Sequence, residues 1–353
     1  MKVVYSELHH HHNADTGTWV GITIPSDEVA DRIERVVEAL VGRGHEIVAA
    51  REHDDSILEA VHDRDMIDYM RNAWEIWVEW GYPDDPGQNQ VAAYAFPTSR
   101  FLGDIPLRLP RSPGALAGVY AMDTMTQIGE GTFLGARAAV DTAQTAADIV
   151  LDGEKVVYAA CRPPGHHAGT SFFGGSCYLN NAAVAAQTFI GGGMGRVAIV
   201  DIDAHHGNGT QEIFYRRRDV VYGSVHVDPG EGWFPHFLGY ADEIGAGEGV
   251  GFNLNEPVPP GCGDDVWLAA LDGVTTFVEI HQPDAVVVSL GVDAAITDPE
   301  SPLQITKFGY EAAGKAIASL GLPTVFVQEG GYDLNTIGEL VGATLNGFET
   351  ARL

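Results

Sequence analysis

Short, strand-sized apolar runs recur along the chain, each bounded by Gly, Pro or charge. They lie at residues 1–6, 155–160, 196–200, 220–225, 284–290 and 323–328. Between them, apolar positions return with helical spacing. Pro25-Ser26-Asp27-Glu28 predicts a helix start, with Pro and acidic residues in the first turn. Val29, Ile33, Val36, Val37 and Leu40 supply its apolar face, and glycines at 42 and 44 stop it. Further helices are predicted over about 55–80, 131–152 and 180–190. Continuously apolar strands between helices predict a parallel sheet covered on both faces. The expected fold class is therefore α/β, a central parallel sheet sandwiched between helices, in a single domain over 1–353 without internal repeats. Residues 81–113 are rich in Pro, Gly and Asp and show little period. They read as a long loop insertion, and loops of that length tend to be functional.

Composition narrows the function classes. Apolar residues make up 45% and charged residues 20% of 353, which excludes global disorder. Lys and Arg number 20 against 49 Asp and Glu, a formal charge of −29. That balance argues against nucleic-acid and acidic-membrane partners and favours cationic small molecules. No apolar stretch is long enough to span a bilayer. The N-terminus shows no apolar h-region or cleavage pattern, so a cytoplasmic protein is expected. Cys161, Cys177 and Cys262 are too few and scattered for a disulfide framework or a Cys-type zinc site. The four histidines at 9–12 continue directly into NADTGTW and read as a native, solvated loop rather than a metal site.

Four strand ends carry titratable or Gly-rich signatures: Arg162-Pro-Pro-Gly-His166-His167, Asp201-Ile-Asp203-Ala-His205-His206-Gly-Asn208, Gly291-Val-Asp293 and Glu329-Gly-Gly-Tyr332. In parallel sheets, ligands bind beyond the carboxyl ends of the strands. Asp201, Asp203 and His205 stand at i, i+2 and i+4, so they share one face. Asp203 and His205 can ligate one ion, and Asp293 from a neighbouring strand can supply a third ligand. One His and two carboxylates with an open position suit catalytic Zn2+ or Fe2+. His166 and His167 read as a proton-transfer pair, with Asp201 and Asn208 as partners that orient the rings. Tyr332, on a Gly-Gly loop, can stabilise an oxyanion.

RPPGHHAG, GSCYLNNAAVAA, DIDAHHGNGTQEIFY, SLGVD and QEGGYD together resemble the zinc-dependent histone deacetylase superfamily. The nearest resemblance is to its bacterial acetylpolyamine amidohydrolases and class II deacetylase-like amidohydrolases, and FPHFLGYADEIG is similar to the acetylpolyamine branch. The match is dense from about 115 to 345 and weaker in MKVVYSELH and VHDRDMIDYMRNAWEIW. The resemblance implies the arginase–deacetylase fold and a deacetylase acting on a linear amide, the N-acyl group of a small amine. It implies zinc on Asp203, His205 and Asp293, and His167 as general base and acid, with His166 as its electrostatic partner tied to Asp201. It further implies Asn208 orienting His167 and Tyr332 polarising the carbonyl. Substrate contacts would come from Gly175, Ser176 and Phe234, and structural K+ would lie near Asp201, Asp203, His205, Ser224 and Val225. The arginase cousins need a second metal and extra carboxylates. Gly207 and Gly291 stand at those places, so a single-metal site is expected.

Three departures concern the substrate. Gly114 and Met125 stand where the acetylpolyamine branch places its acidic clamp, with Asp123 and Glu130 nearby. Ser176 replaces an aromatic channel wall, which predicts a wider, more polar channel. Residues 13–24 lack the branch's acidic-glycine pattern. An acetylpolyamine is thus the leading substrate; a bulkier acylated metabolite or an acetyl-lysine peptide is the alternative, and a non-catalytic binder of acyl ligands ranks last. The insertion at 81–113 is expected to shape the channel and a homodimer or higher contact. Trp74, Trp77, Trp80, Tyr82 and Tyr94 are either its aromatic anchors or plain core.

Overall fold

Alternate residues of each central strand point into opposite layers, and this fixes the architecture. The computed structural model describes residues 1–13 and 15–352; Ala14, within the 13–24 stretch, and Leu353 lie outside the described residues. On the strand Val156–Ala159, Val157 and Ala159 join one apolar cluster and Tyr158 the other. Val197 and Ile199 likewise face opposite to Ala198 and Val200. Such strands are buried on both faces, hence their continuous apolar runs.

The strands in chain order are β1 (Lys2–Tyr5), β2 (Thr16–Trp19), β3 (Ile22–Pro25), β4 (Glu46–Ala49), β5 (Val156–Ala159), β6 (Val197–Asp201), β7 (Val220–Val227), β8 (Asn253–Val258), β9 (Ala285–Leu290) and β10 (Thr324–Gln328). Eight of them form one sheet in the order β4-β1-β5-β10-β9-β6-β7-β8, and every pairing in it is parallel. The last strand, β10, sits between β5 and β9. Helices Arg64–Glu79, Thr132–Leu151 and Asn181–Gly191 cover one face. Helices Asp31–Gly42, Asp264–His281, Lys307–Ala318 and Ile337–Ala351 cover the other. The expected sandwich in a single α/β domain is observed.

The differences are local. Pro25 closes β3 instead of opening a helix, and the helix starts at Asp31. Residues 16–25 form an antiparallel hairpin whose turn places Val20 and Gly21 at φ 49° and 78°. The helical stretch at 55–80 divides into Ser56–Glu59 and Arg64–Glu79, because His62 turns inward between them and is buried. The histidine run is not a solvated loop. It forms a 3-10 helix, Glu7–His11, with His9 and His12 buried.

The insertion at 81–113 is mostly irregular, with one short helix, Ser99–Leu102. Its backbone lies so close to the helix Pro113–Tyr120 that a Cβ at Gly118 would fall on the carbonyl of Ala95. The five aromatics divide: Trp77 is core and stacks on Tyr82, Trp74 is partly buried against that core, and Trp80 and Tyr94 are exposed. Among the described residues no helix is long and apolar enough to cross a membrane.

Candidate active site

The carboxyl ends of the adjacent strands β5, β10, β9 and β6 converge on one buried group of side chains. Asp201 ends β6, and the chain leaves it through Asp203 and His205. Asp203 Oδ1 accepts from the His205 amide at 2.9 Å, and its Oδ2 accepts from the Gly330 amide at 2.8 Å. Asp293, beyond β9, accepts from the Ala204 amide at 2.8 Å. Its other oxygen lies 3.0 Å from His205 Nδ1, and Asp203 Oδ1 lies 3.4 Å from the same nitrogen. One ligand atom from each of the three residues falls within 4.8 Å of the other two. The sequence thus predicted which three residues would meet.

Charge and ligand type at the trio fit a bound cation. Burial, then the charge of Asp203, pushes the Asp293 carboxyl up to about 7. Two carboxylates in an apolar interior repel unless a positive charge lies between them. One imidazole and two carboxylates leave coordination positions open, the donor set of a catalytic divalent metal. The two glycines leave no room for the extra carboxylates that a second ion would need. A Cβ at Gly291 would fall on Asp203 Oδ2, and one at Gly207 on Asp201 Oδ2.

The His-His pair lies directly beside the trio. His166 Nδ1 is 3.1 Å from Asp201 Oδ2, and its Nε2 is 3.7 Å from Asp203 Oδ1. Burial opposes charge on His166, but Asp203 and Asp201 outweigh it and raise it to about 10. The His167 ring lies 4.0 Å away, centre to centre. Burial, then the charges of His166 and His205, holds His167 well below the ordinary histidine range, so it is neutral. His167 Nδ1 faces Asn208 Oδ1 at 2.8 Å. An amide oxygen only accepts, so Nδ1 carries the proton and Nε2 presents its lone pair.

Phe234 packs edge-on against His167 at 4.7 Å and lies 6.5 Å from the His205 ring. Gly175, at φ 57°, passes so close to His167 and Phe234 that a side chain would strike both rings. Ser176 follows at φ 62°, its amide bonded to Thr126 Oγ1 at 2.9 Å. Ser224 lies opposite Asp201 in the β6–β7 register and is buried, with Val225 next to it. Burial above all raises the Tyr332 phenol far above its usual range, so it remains a proton donor.

The residues near the expected clamp are engaged otherwise. Asp123 accepts from the amides of Met125, Thr126 and Gly175 at 2.9, 2.8 and 2.6 Å. It shapes the loop rather than offering a free carboxylate. A Cβ on Gly114 would meet the ring of Tyr94, and Met125 abuts Gly17 of the β2–β3 hairpin. Glu130 is exposed and lines a different hollow with His10, His11 and Trp74.

Several residues received no role from the sequence. Buried Glu329 accepts from the amides of Gly165 and His166 at 2.7 and 3.1 Å and from Ser289 Oγ at 3.1 Å. It fixes the turn that carries His166. Arg32 donates to the carbonyls of Gly331 and Glu329, both at 2.6 Å. Glu28 pairs with Arg32 at 2.8 Å and with Arg162 at 2.9 Å. For Arg32, a guanidinium on the apolar face of the helix Asp31–Gly42 was the available signal.

Comparison with known proteins places the chain in a family. The family model described as a histone deacetylase domain matches residues 26–348. The chain belongs to the histone deacetylase family. It is 40% identical over 352 residues to acetylpolyamine amidohydrolase 1 of Pseudomonas aeruginosa, covering 99% of both chains. It is 39% identical over 348 residues to the acetylpolyamine amidohydrolase of Mycoplana ramosa, covering 98% of this chain and 99% of that one. The crystal structure of an acetylpolyamine aminohydrolase from Burkholderia pseudomallei matches with a TM-score of 0.93 at 35% identity, over 99% of each chain. The deacetylase member described here is therefore an amide-hydrolysing enzyme with the arginase–deacetylase fold.

Proposed function

We propose that this enzyme is a zinc-dependent deacetylase that hydrolyses the N-acetyl amide of a small cationic amine, an acetylpolyamine. The observation that carries the reading is the Asp203–His205–Asp293 trio set beside a neutral, oriented His167. The chain's similarity to acetylpolyamine amidohydrolases over its full length and its charge of −29 support the substrate class.

Asp203, His205 and Asp293 would hold the ion, Zn2+ or in its place Fe2+, which when bound polarises the amide carbonyl and the attacking water. His167 Nε2 takes the proton from that water as it adds to the carbonyl carbon. The same nitrogen then returns the proton to the leaving amine as the C–N bond breaks. His166, tied to Asp201, sets the field in which His167 stays neutral. Tyr332 donates its hydroxyl to the developing oxyanion. The Gly175 carbonyl accepts from the substrate amide, and Phe234 and Ser176 wall the channel. Asp201, Asp203, His205, Ser224 and Val225 would hold a structural K+. Exposed Tyr94, Phe101, Ile105 and Leu109 on the insertion favour a homodimer or higher assembly that also shapes the channel.

Small Ser176, next in the chain to the Gly175 that abuts Phe234, favours one second reading, a bulkier acylated metabolite. Steady-state hydrolysis by zinc-loaded enzyme separates the two. The panel holds acetylputrescine, acetylspermidine, acetylcadaverine, an acetyl-lysine peptide and longer-acyl versions of each. Preference for the acetylpolyamines is expected. Weak activity on all of them with zinc in place would move the assignment to the larger metabolite.

A further inference from the structure

The histidine run supplies a second cluster of metal-ligating atoms that shares no residue with the catalytic trio. His9 and His10 lie on the 3-10 helix Glu7–His11, and Glu34 lies on the helix Asp31–Gly42. His9 Nε2 is 3.0 Å and His10 Nε2 is 3.1 Å from the same oxygen, Glu34 Oε1. The two rings are 4.1 Å apart, centre to centre. All three ligand atoms fall within 4.8 Å of one another, as in the catalytic trio. A tetrahedral ion with bonds of about 2.0–2.1 Å separates its ligand atoms by about 3.3 Å, close to these spacings.

We propose that His9, His10 and Glu34 bind a second divalent transition-metal ion of the zinc class. Two imidazoles and a carboxylate match that class in ligand type. Hydrogen bonding alone accounts poorly for the arrangement. Glu34 Oε1 is also the acceptor of the Tyr5 hydroxyl at 2.9 Å, so three groups crowd one oxygen. Among the described residues nothing bonds His9 Nδ1; Glu34 Oε1 at 3.0 Å places the ring proton on Nε2, the proton that a bound ion would displace.

The site is anchored on one side and open on the other. His9 is 2% exposed, and Arg162 holds its carbonyl at 2.9 Å. The side chains of His10 and Glu34 are 49% and 44% exposed, which leaves an entry path. Glu7 Oε2, 3.7 Å from His10 Nε2, is within reach as a fourth ligand. A bound ion would clamp the N-terminal 3-10 helix to the helix Asp31–Gly42.

The test uses the untagged full chain, stripped with chelator, saturated with Zn2+, freed of excess by gel filtration and assayed for bound metal. His10→Ala and Glu34→Gln alter exposed side chains and leave Asp203, His205 and Asp293 untouched, so the outcome does not depend on the catalytic assignment. Circular dichroism checks that both variants are folded. Wild type is expected to hold one more zinc per chain than either variant and to show a higher melting temperature with added Zn2+. His11→Ala is expected to match wild type. Equal zinc in wild type and both variants would overturn the proposal. So would an extra zinc that is lost in His11→Ala and kept in Glu34→Gln, the signature of a chelate between exposed imidazoles.

Discussion

The guanidinium of Arg32 lies 4.5 Å from the centre of the Tyr332 ring. Its nitrogens also hold the carbonyls of Glu329 and Gly331, on either side of the Gly330 amide that bonds Asp203. One side chain thus fixes both the tyrosine and the loop that steadies a proposed metal ligand. Arg32→Lys keeps the charge but loses the planar fork. The expected result is a fall in kcat of up to about 10²-fold, from misplacement of the phenol, with KM little changed. Steady-state kinetics with an acetylated amine checks this, and an unchanged kcat would refute the positioning role.

Removing the phenol itself tests the oxyanion assignment. Tyr332→Phe should cost about 2.7–4 kcal/mol of barrier, the range seen when one oxyanion donor is lost. His167→Ala should abolish turnover while metal content stays at the wild-type level, because His167 is not among the three ligands. Retained activity in His167→Ala would remove it as the base.

Acid should loosen the fold before it titrates many carboxylates. His62 is buried, with Nδ1 at 2.8 Å from the Gly169 carbonyl and Nε2 accepting the Asn180 amide at 2.9 Å. Burial lowers it to about 4 from an ordinary value of 6.5. The unfolded chain therefore binds this proton first as pH falls. The stability contribution is complete above about 6.5 and is lost progressively towards 4, about 3 kcal/mol in all. Urea midpoints between pH 7 and 4.5 should fall accordingly, and less steeply in His62→Gln. Identical slopes in the two proteins would sink the attribution.

Two glycines in different surroundings, one under the insertion and one at an open helix end, predict different responses to alanine. Gly118→Ala pushes a methyl into the Ala95 carbonyl and should lower stability by about 1–3 kcal/mol. Gly42→Ala meets nothing within 4 Å at the end of its helix and should be neutral or stabilising by up to about 1 kcal/mol. Thermal denaturation of both variants decides it.

What the sequence made legible follows from periodicity. The two-residue spacing of Asp201, Asp203 and His205 put them on one face, and the apolar runs of the central strands placed that face at a strand end. Strands β4 and β8 lie at the sheet edges and carry Glu46, Asn253, Asn255 and Glu256, so they lack such runs. The β2–β3 hairpin hid because Val20, a β-branched residue, occupies a turn position that usually advertises itself with Gly or Asn. The Glu28–Arg32 pair stands at i, i+4 and was open to reading; Glu329 and the Glu28–Arg162 pair were missed because their partners lie far away in the chain. Nothing local marks such a pairing. The same holds for Gly114, whose cover is Tyr94.

The place of β10 has a consequence for how the enzyme is made. The strands synthesised before it can form two separate half-sheets, β4-β1-β5 and β9-β6-β7-β8. Only β10 joins them, and it leaves the ribosome after every other strand of the sheet. Glu329 and Tyr332 follow it directly, so His166 gains its turn support and the site its phenol at the same late moment. A chain cut short before Thr324 is therefore expected to be wholly inactive rather than weakened, with two raw sheet edges that invite aggregation.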